Sequence, residues 1–152
     1  MSRQLLAILS ALVISVVANP AYCRDRHDDM LGAIERNDVA KVRALLESKT
    51  SPNLRKDTRA SPTFLTQAAR LGREEIVSLL IQSGADVDGM DGDAMTPLMW
   101  ASWNGHPKVV MLLIKAGSDV NAQDKRGDSV LSYAVSGKNA EIIAALRKAG
   151  AK

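Results

Sequence analysis

A period of 33 residues runs through most of this chain and constrains its fold more than any other feature. Thr63-Phe64-Leu65-Thr66-Gln67-Ala68-Ala69 recurs as Thr96-Pro97-Leu98-Met99-Trp100-Ala101-Ser102 and again as Ser129-Val130-Leu131-Ser132-Tyr133-Ala134-Val135, an offset of 33 each time. The offset persists downstream in Ile76-Val77, Val109-Val110 and Ile142-Ile143, in Leu80, Leu113 and Leu146, and in Gly84, Gly117 and Gly150. A weaker copy lies upstream at offset 35, marked by Ala33, Val42, Leu45, Leu46 and Ser51-Pro52-Asn53, so two extra residues fall within 54–62. There, Ser61-Pro62 and Thr63-Phe64 compete for one structural role. A period of this size marks units that cannot bury their own apolar face and must stack on neighbours. The 152 residues are therefore better read as a number of units than as one ordinary domain.

The third copy carries the fullest set of recurring residues: Asp91-Gly92-Asp93-Ala94-Met95-Thr96-Pro97-Leu98-Met99-Trp100-Ala101, Gly105-His106, Val109-Val110, Leu112-Leu113 and Ala116-Gly117-Ser118-Asp119-Val120-Asn121-Ala122. These residues resemble the ankyrin repeat, over about residues 28–152. The resemblance implies an all-α repeat solenoid of four stacked helix–turn–helix units with short β-hairpin fingers, at about 28–57, 58–90, 91–123 and 124–152. Residues 22–27 are then a linker. The family's His after Thr-Pro-Leu is replaced by Thr66, Met99 and Ser132, and its inter-helix Gly by Asn37 and Lys138.

Each recurring residue has a physical role. Thr96 can cap a helix, and Pro97 and Pro107 suit first helical positions, where a missing N–H costs nothing. Ala68, Ala101 and Ala134 let paired helices approach. Gly72 and Gly105 can end the first helix in the left-handed conformation, and Gly84, Gly117 and Gly150 the second. His106 sits where such repeats commonly place a structural His. Polar residues in the first copy (Glu35, Arg36, Asp38, Lys41, Arg43, Glu47) and in the last helix (Glu141, Arg147, Lys148) read as polar end faces, so the array is expected to be complete at four.

The resemblance also implies binding of another protein in a concave groove made by fingers and first helices. By position, the groove residues are Gln67, Trp100 and Tyr133 in one column and Arg70, Trp103 and Ser136 three residues on, on one helix side. Three of the chain's five aromatic residues fall in these two columns, and Trp and Tyr are favoured interface anchors. Finger residues flanking the groove are Met90, Gly92, Asp93 and Met95, then Gln123, Lys125, Arg126 and Asp128.

Ahead of the repeats, Arg3 precedes the apolar run Leu5–Ala18, interrupted only by Ser10 and Ser15, and Asn19-Pro20-Ala21-Tyr22-Cys23 follows. This is the order of a secretory signal peptide over residues 1–21, with cleavage after Ala18, Ala21 or Cys23. The run is shorter than the roughly 20 apolar residues that span a bilayer. Tyr22 before Cys23 argues against lipidation. The chain is expected to be exported, to the periplasm or beyond the cell.

Catalytic signals are scarce. There are two histidines and one cysteine, and no GxSxG, HExxH, phosphate-binding loop or GxGxxG. No enzyme, cofactor or metal is expected, and a hydrolase is the remotest alternative. Asp86, Asp88, Asp91 and Asp93 crowd one finger, but Pro97 stands where a calcium loop starting at Asp86 would need Glu. The cluster reads first as a solvated finger and second as a weak cation site. The net charge of +3 is unevenly spread: residues 41–73 hold eight basic and two acidic residues, and 74–107 hold six acidic residues and no Lys or Arg. A nucleic-acid binder would carry a continuous basic stripe. The expected partner is a protein, acidic where it meets the basic end. A membrane is met only through the signal or by weak surface attraction, and the chain is expected to be monomeric.

Overall fold

Helices among the described residues come in pairs, 16 residues followed by 9 in the first and 7 followed by 9 in the other three. The computed structural model describes residues 20–55 and 61–152. The apolar run and most of the signal-peptide reading lie outside the described residues. The helices are α1 (Pro20–Glu35), α2 (Val39–Glu47), α3 (Phe64–Arg70), α4 (Glu74–Gln82), α5 (Pro97–Trp103), α6 (Pro107–Lys115), α7 (Val130–Ser136) and α8 (Ala140–Lys148). None of these is long and apolar enough to cross a membrane.

Local chemistry sets the boundaries. The side chains of Thr63, Thr96 and Ser129 accept from the backbone N–H of Thr66 (2.9 Å), Met99 (3.3 Å) and Ser132 (3.2 Å), each satisfying an otherwise free donor of a first turn. Thr63, not Ser61, thus opens the second repeat. Pro97 and Pro107 occupy the first turns of α5 and α6. The substitutes for the family's His do related work: Thr66 Oγ1 donates to the Gly89 carbonyl (3.2 Å), and Ser132 Oγ to that of Ser129 (2.7 Å).

The first helices α1, α3, α5 and α7 pack in one layer and α2, α4, α6 and α8 in a second. The core runs between them as a ribbon that includes Ile34, Phe64, Leu65, Ile76, Leu80, Leu98, Leu113, Ile142 and Leu146, all fully buried. This is the expected all-α repeat solenoid.

Helix pairs turn through left-handed residues: Asn37 (φ 57°), Gly72 (67°), Gly105 (72°) and Lys138 (54°). Gly72 carries a second constraint. His106 Nε2–H donates to the Arg70 carbonyl (3.1 Å), which places the imidazole over Gly72, and a Cβ there would lie 2.6 Å from His106 Nδ1. At Gly84 (φ 85°) a Cβ would meet nothing within 4 Å. Gly84→Ala is therefore expected to cost about 1 kcal/mol from the backbone alone. Gly72→Ala is expected to cost about 2 kcal/mol, since it also displaces a hydrogen-bonded ring. Paired urea melts check the difference, and equal losses would refute the His106 contact.

Two expectations are corrected. The fingers are not β-hairpins: among the described residues there is no strand, and one isolated bridge joins Gln123 and Ser129. Side chains bend these fingers instead. Asp91 Oδ1 accepts from Asp93 N (3.0 Å) and Met95 N (3.0 Å), and Asp124 Oδ1 accepts from Arg126 N (2.9 Å) and Asp128 N (2.8 Å), so these donors are taken by side-chain-braced turns. Residues 22–27 are not a linker but part of α1. His27, Met30 and Ile34 follow helical spacing and are buried, with the His27 ring centroid 5.1 Å from that of Phe64. Arg26 donates to Thr50 Oγ1 (2.8 Å) and the Ser48 carbonyl (3.2 Å), closing the first unit.

Candidate functional site

The last residue of each first helix is exposed: Glu35, Arg70, Trp103 and Ser136, with Val135 exposed beside the last of these. Beside it, toward the fingers, runs the column Gln67, Trp100 and Tyr133. Stacking joins the two columns. The Arg70 guanidinium carbon lies 5.8 Å from the Trp100 ring centroid, Trp100 stacks on Trp103 (5.5 Å), and Trp103 meets Tyr133 (5.7 Å). Such contacts fix aromatic faces while leaving apolar area in water. Trp103 is 46% exposed although a large apolar ring would ordinarily be covered.

The fingers hold this row in place. Trp100 Nε1–H donates to Asp91 Oδ2 (2.8 Å), and one period later the Tyr133 hydroxyl donates to Asp124 Oδ2 (2.8 Å) while accepting from Arg126 Nη2 (2.6 Å). A finger carboxylate thus grips the aromatic nine residues on in both repeats. Between fingers and helices lies a cleft lined by Thr66, Gln67, Arg70, Asp91, Asp93 and Trp100, among others, of about 250 Å³. That is smaller than the roughly 300–1,000 Å³ of small-molecule sites, and it suits a protruding side chain.

Asp124 is buried, which alone raises its pKa, but hydrogen bonds from the Tyr133 hydroxyl, the Asp128 N–H and Arg126 outweigh burial and hold it down at about 2. Burial and the neighbouring Asp124 in turn push the Tyr133 hydroxyl upward. A depressed carboxylate stabilises the fold above its unfolded pKa near about 3.9, and loses that contribution as pH falls toward the folded value. The difference in melting temperature between the native chain and Asp124→Asn is therefore expected to be full at pH 5 to 7 and to shrink between about pH 4 and 2. A gap constant across that range would refute the assignment.

Three of the four carboxylates in the Asp-rich finger are spent on the fold. Asp86 Oδ1 accepts from Asp88 N (3.2 Å), Asp88 from Asp119 N (3.1 Å), and Asp91 from its finger and Trp100 as above. Burial, with Asp119 and Asp86 nearby, raises the Asp88 pKa against the pull of the Asp119 N–H. Among the described residues no group of three or more His, Cys, Asp or Glu is arranged to hold a metal ion.

Paired helices, left-handed turns and finger-gripped first helices recurring every 33 residues agree with the comparison to known families. A family model described as ankyrin repeats (3 copies) matches residues 30–124, and one described as ankyrin repeats (many copies) matches residues 105–147. The chain belongs to the ankyrin-repeat family. No curated protein matches it. The family is a non-catalytic interaction fold whose members typically bind other proteins.

In this ankyrin array the sequence-derived positions divide. Arg70, Trp103, Ser136, Met90, Asp93, Gln123, Lys125 and Arg126 are exposed, and Trp100, Gly92 and Asp128 are half-buried. Three are not available as expected. Met95 is 4% exposed because it precedes the Thr96 cap, where an apolar residue closes over the helix entry. Tyr133 is 5% exposed, its hydroxyl consumed by Asp124 and Arg126. Gln67 is 7% exposed and reaches Glu35 Oε1 (3.5 Å) and Arg70 Nη2 (3.1 Å). Sequence reasoning passed over Asp124, and read Asp91 only as part of a solvated finger and Glu35 only as part of a polar end face. The repeated nine-residue step from finger Asp to helix aromatic was the available signal for the first two.

Proposed function

We propose that this chain is an exported, monomeric adaptor, accessory factor or inhibitor that binds another protein in a concave groove formed by its fingers and first helices, with no catalysis of its own. The observation that carries this reading is Trp103, half exposed and held rigidly between Trp100 and Tyr133. A stacked aromatic gives up little conformational freedom on binding, which is the economy interface anchors use. The basic stretch over residues 41–73 favours a partner that is acidic on that side. Export rests on the order of charge, apolar run and small residues over 1–21, and in a Gram-negative cell it leads to the periplasm.

Affinity capture from the extracytoplasmic fraction tests the reading. Trp103→Ala is expected to weaken a specific partner by about tenfold or more with helicity unchanged. A partner set indifferent to that change, or retention of the full-length chain in the cytoplasm, would overturn it.

A further inference from the structure

The exposed column differs in chemistry from repeat to repeat: Glu35 is acidic, Arg70 basic, Trp103 aromatic and Ser136 small and polar. On α3 and α5 its flanking residues are covered: Gln67, Ala69, Ala101 and Ser102 are buried, so there the column alone is exposed, while on α7 Val135 is exposed beside Ser136. The two charges are also uncommitted. Arg70 donates to the neutral Gln67 amide (3.1 Å) and lies over Trp100, and Glu35 Oε1 accepts from the same amide (3.5 Å). Among the described residues neither Glu35 nor Arg70 lies within ion-pair distance of an opposite charge. Gln67 sits between them as a spacer that holds both side chains and neutralises neither.

Adjacent first helices belong to adjacent repeats and pack side by side. Packed helices stand about 8–10 Å apart, the length of about three residues of extended chain. An extended segment laid across the first helices therefore meets a new column residue about every third position.

We propose that the groove reads a linear segment by charge order: a basic residue over Glu35, an acidic residue on Arg70 about three positions on, and an apolar or aromatic residue on Trp103 about three further. This rests on the protein-binding reading above and specifies the chemistry of its partner. Arg70 supplies a planar fork of donors already oriented by Trp100, which suits a carboxylate. Reversing the first two charges sets like against like at both positions, so the column rejects the wrong order as well as accepting the right one.

Two synthetic peptides of equal composition test this against the full chain by fluorescence anisotropy, Arg-x-x-Glu-x-x-Trp and Glu-x-x-Arg-x-x-Trp with x drawn from Ala and Ser. Each is made with its sequence in both directions, because the column does not specify polarity. The first order is expected to bind at least about tenfold tighter than the second in one of the two directions. The double exchange Glu35→Arg with Arg70→Glu is expected to invert the preference, and both native and exchanged chains are checked for equal helicity. Equal binding of both orders that is still lost in Trp103→Ala would overturn the charge code and leave the groove reading standing. Absence of binding by any peptide would overturn the code, and the capture experiment would then decide the groove reading by itself.

Discussion

Phe64→Ala is expected to remove about 3–5 kcal/mol of stability and to release the first repeat ahead of the rest. Phe64 is fully buried, opens α3 and meets the buried His27 of α1, so its ring belongs to the interface between the first and second repeats. The contact is not replaceable from elsewhere, because each repeat in a stack touches only its neighbours. Domains commonly hold only about 5–15 kcal/mol in total, so the loss is a large share. Urea unfolding measures its size, and hydrogen exchange locates it: amides of α1 and α2 exchange faster, while those of α7 and α8 keep their protection. A small loss, or one spread evenly along the array, would refute the assignment of Phe64 to this junction.

Gly137→Ala is expected to cost about 3 kcal/mol, a result that helix propensity alone would not anticipate. The backbone at Gly137 is right-handed helical, with φ at −73°, so alanine suffers no strain there and, by propensity, would gain up to about 1 kcal/mol. The obstacle is contact. A Cβ would lie 2.6 Å from the Trp103 carbonyl oxygen and 2.9 Å from that of Ser102. Both are main-chain atoms at the end of α5, and close-packed backbone does not step aside cheaply. The last repeat must back away from the third, and Trp103 moves with it. Thermal melts give the loss, and tryptophan emission reports the displacement. A neutral or stabilising substitution would show that α5 and α7 stand further apart than described.

The architecture was legible because its determinants are single residues with strict conformational preferences. Glycines that tolerate positive φ and capping Thr and Ser recur at one spacing, Pro97 and Pro107 add first-turn prolines in the third repeat, and each kept its role. Asn37 and Lys138 entered the same left-handed turn without being glycine, since the surrounding helices impose that conformation. The exposed column was equally legible at Arg70, Trp103 and Ser136, where a three-residue step fixes which side of the helix faces outward.

What escaped were features made by two side chains together. Tyr133 was expected to contact a partner by its aromatic type, but its hydroxyl is buried against Asp124, and nothing about Tyr133 taken singly shows that. Met95 was grouped with the finger for its place in the chain, whereas its neighbour Thr96, by starting a helix, turns it inward. Residues 22–27 looked like a linker because charge outnumbers apolar residues there. One buried His at helical spacing from Met30 was enough to draw the segment into the fold.

The hydrogen bonds between repeats have a mechanical consequence. Asn53 reaches Gly84 and Asp86, Arg73 reaches Glu35, His106 reaches Arg70, Asp119 reaches Asp88, and Asn121 reaches Gly150 and Lys152, all between residues 29 to 38 positions apart. None of these ties one end of the array to the other. Tension applied at its two ends is therefore carried in series, junction after junction, and the weakest yields first while its neighbours hold. Each rupture pays out one period of chain, about 110 Å when drawn taut. The molecule lengthens in steps of that size and leaves a shorter stack still standing after every one.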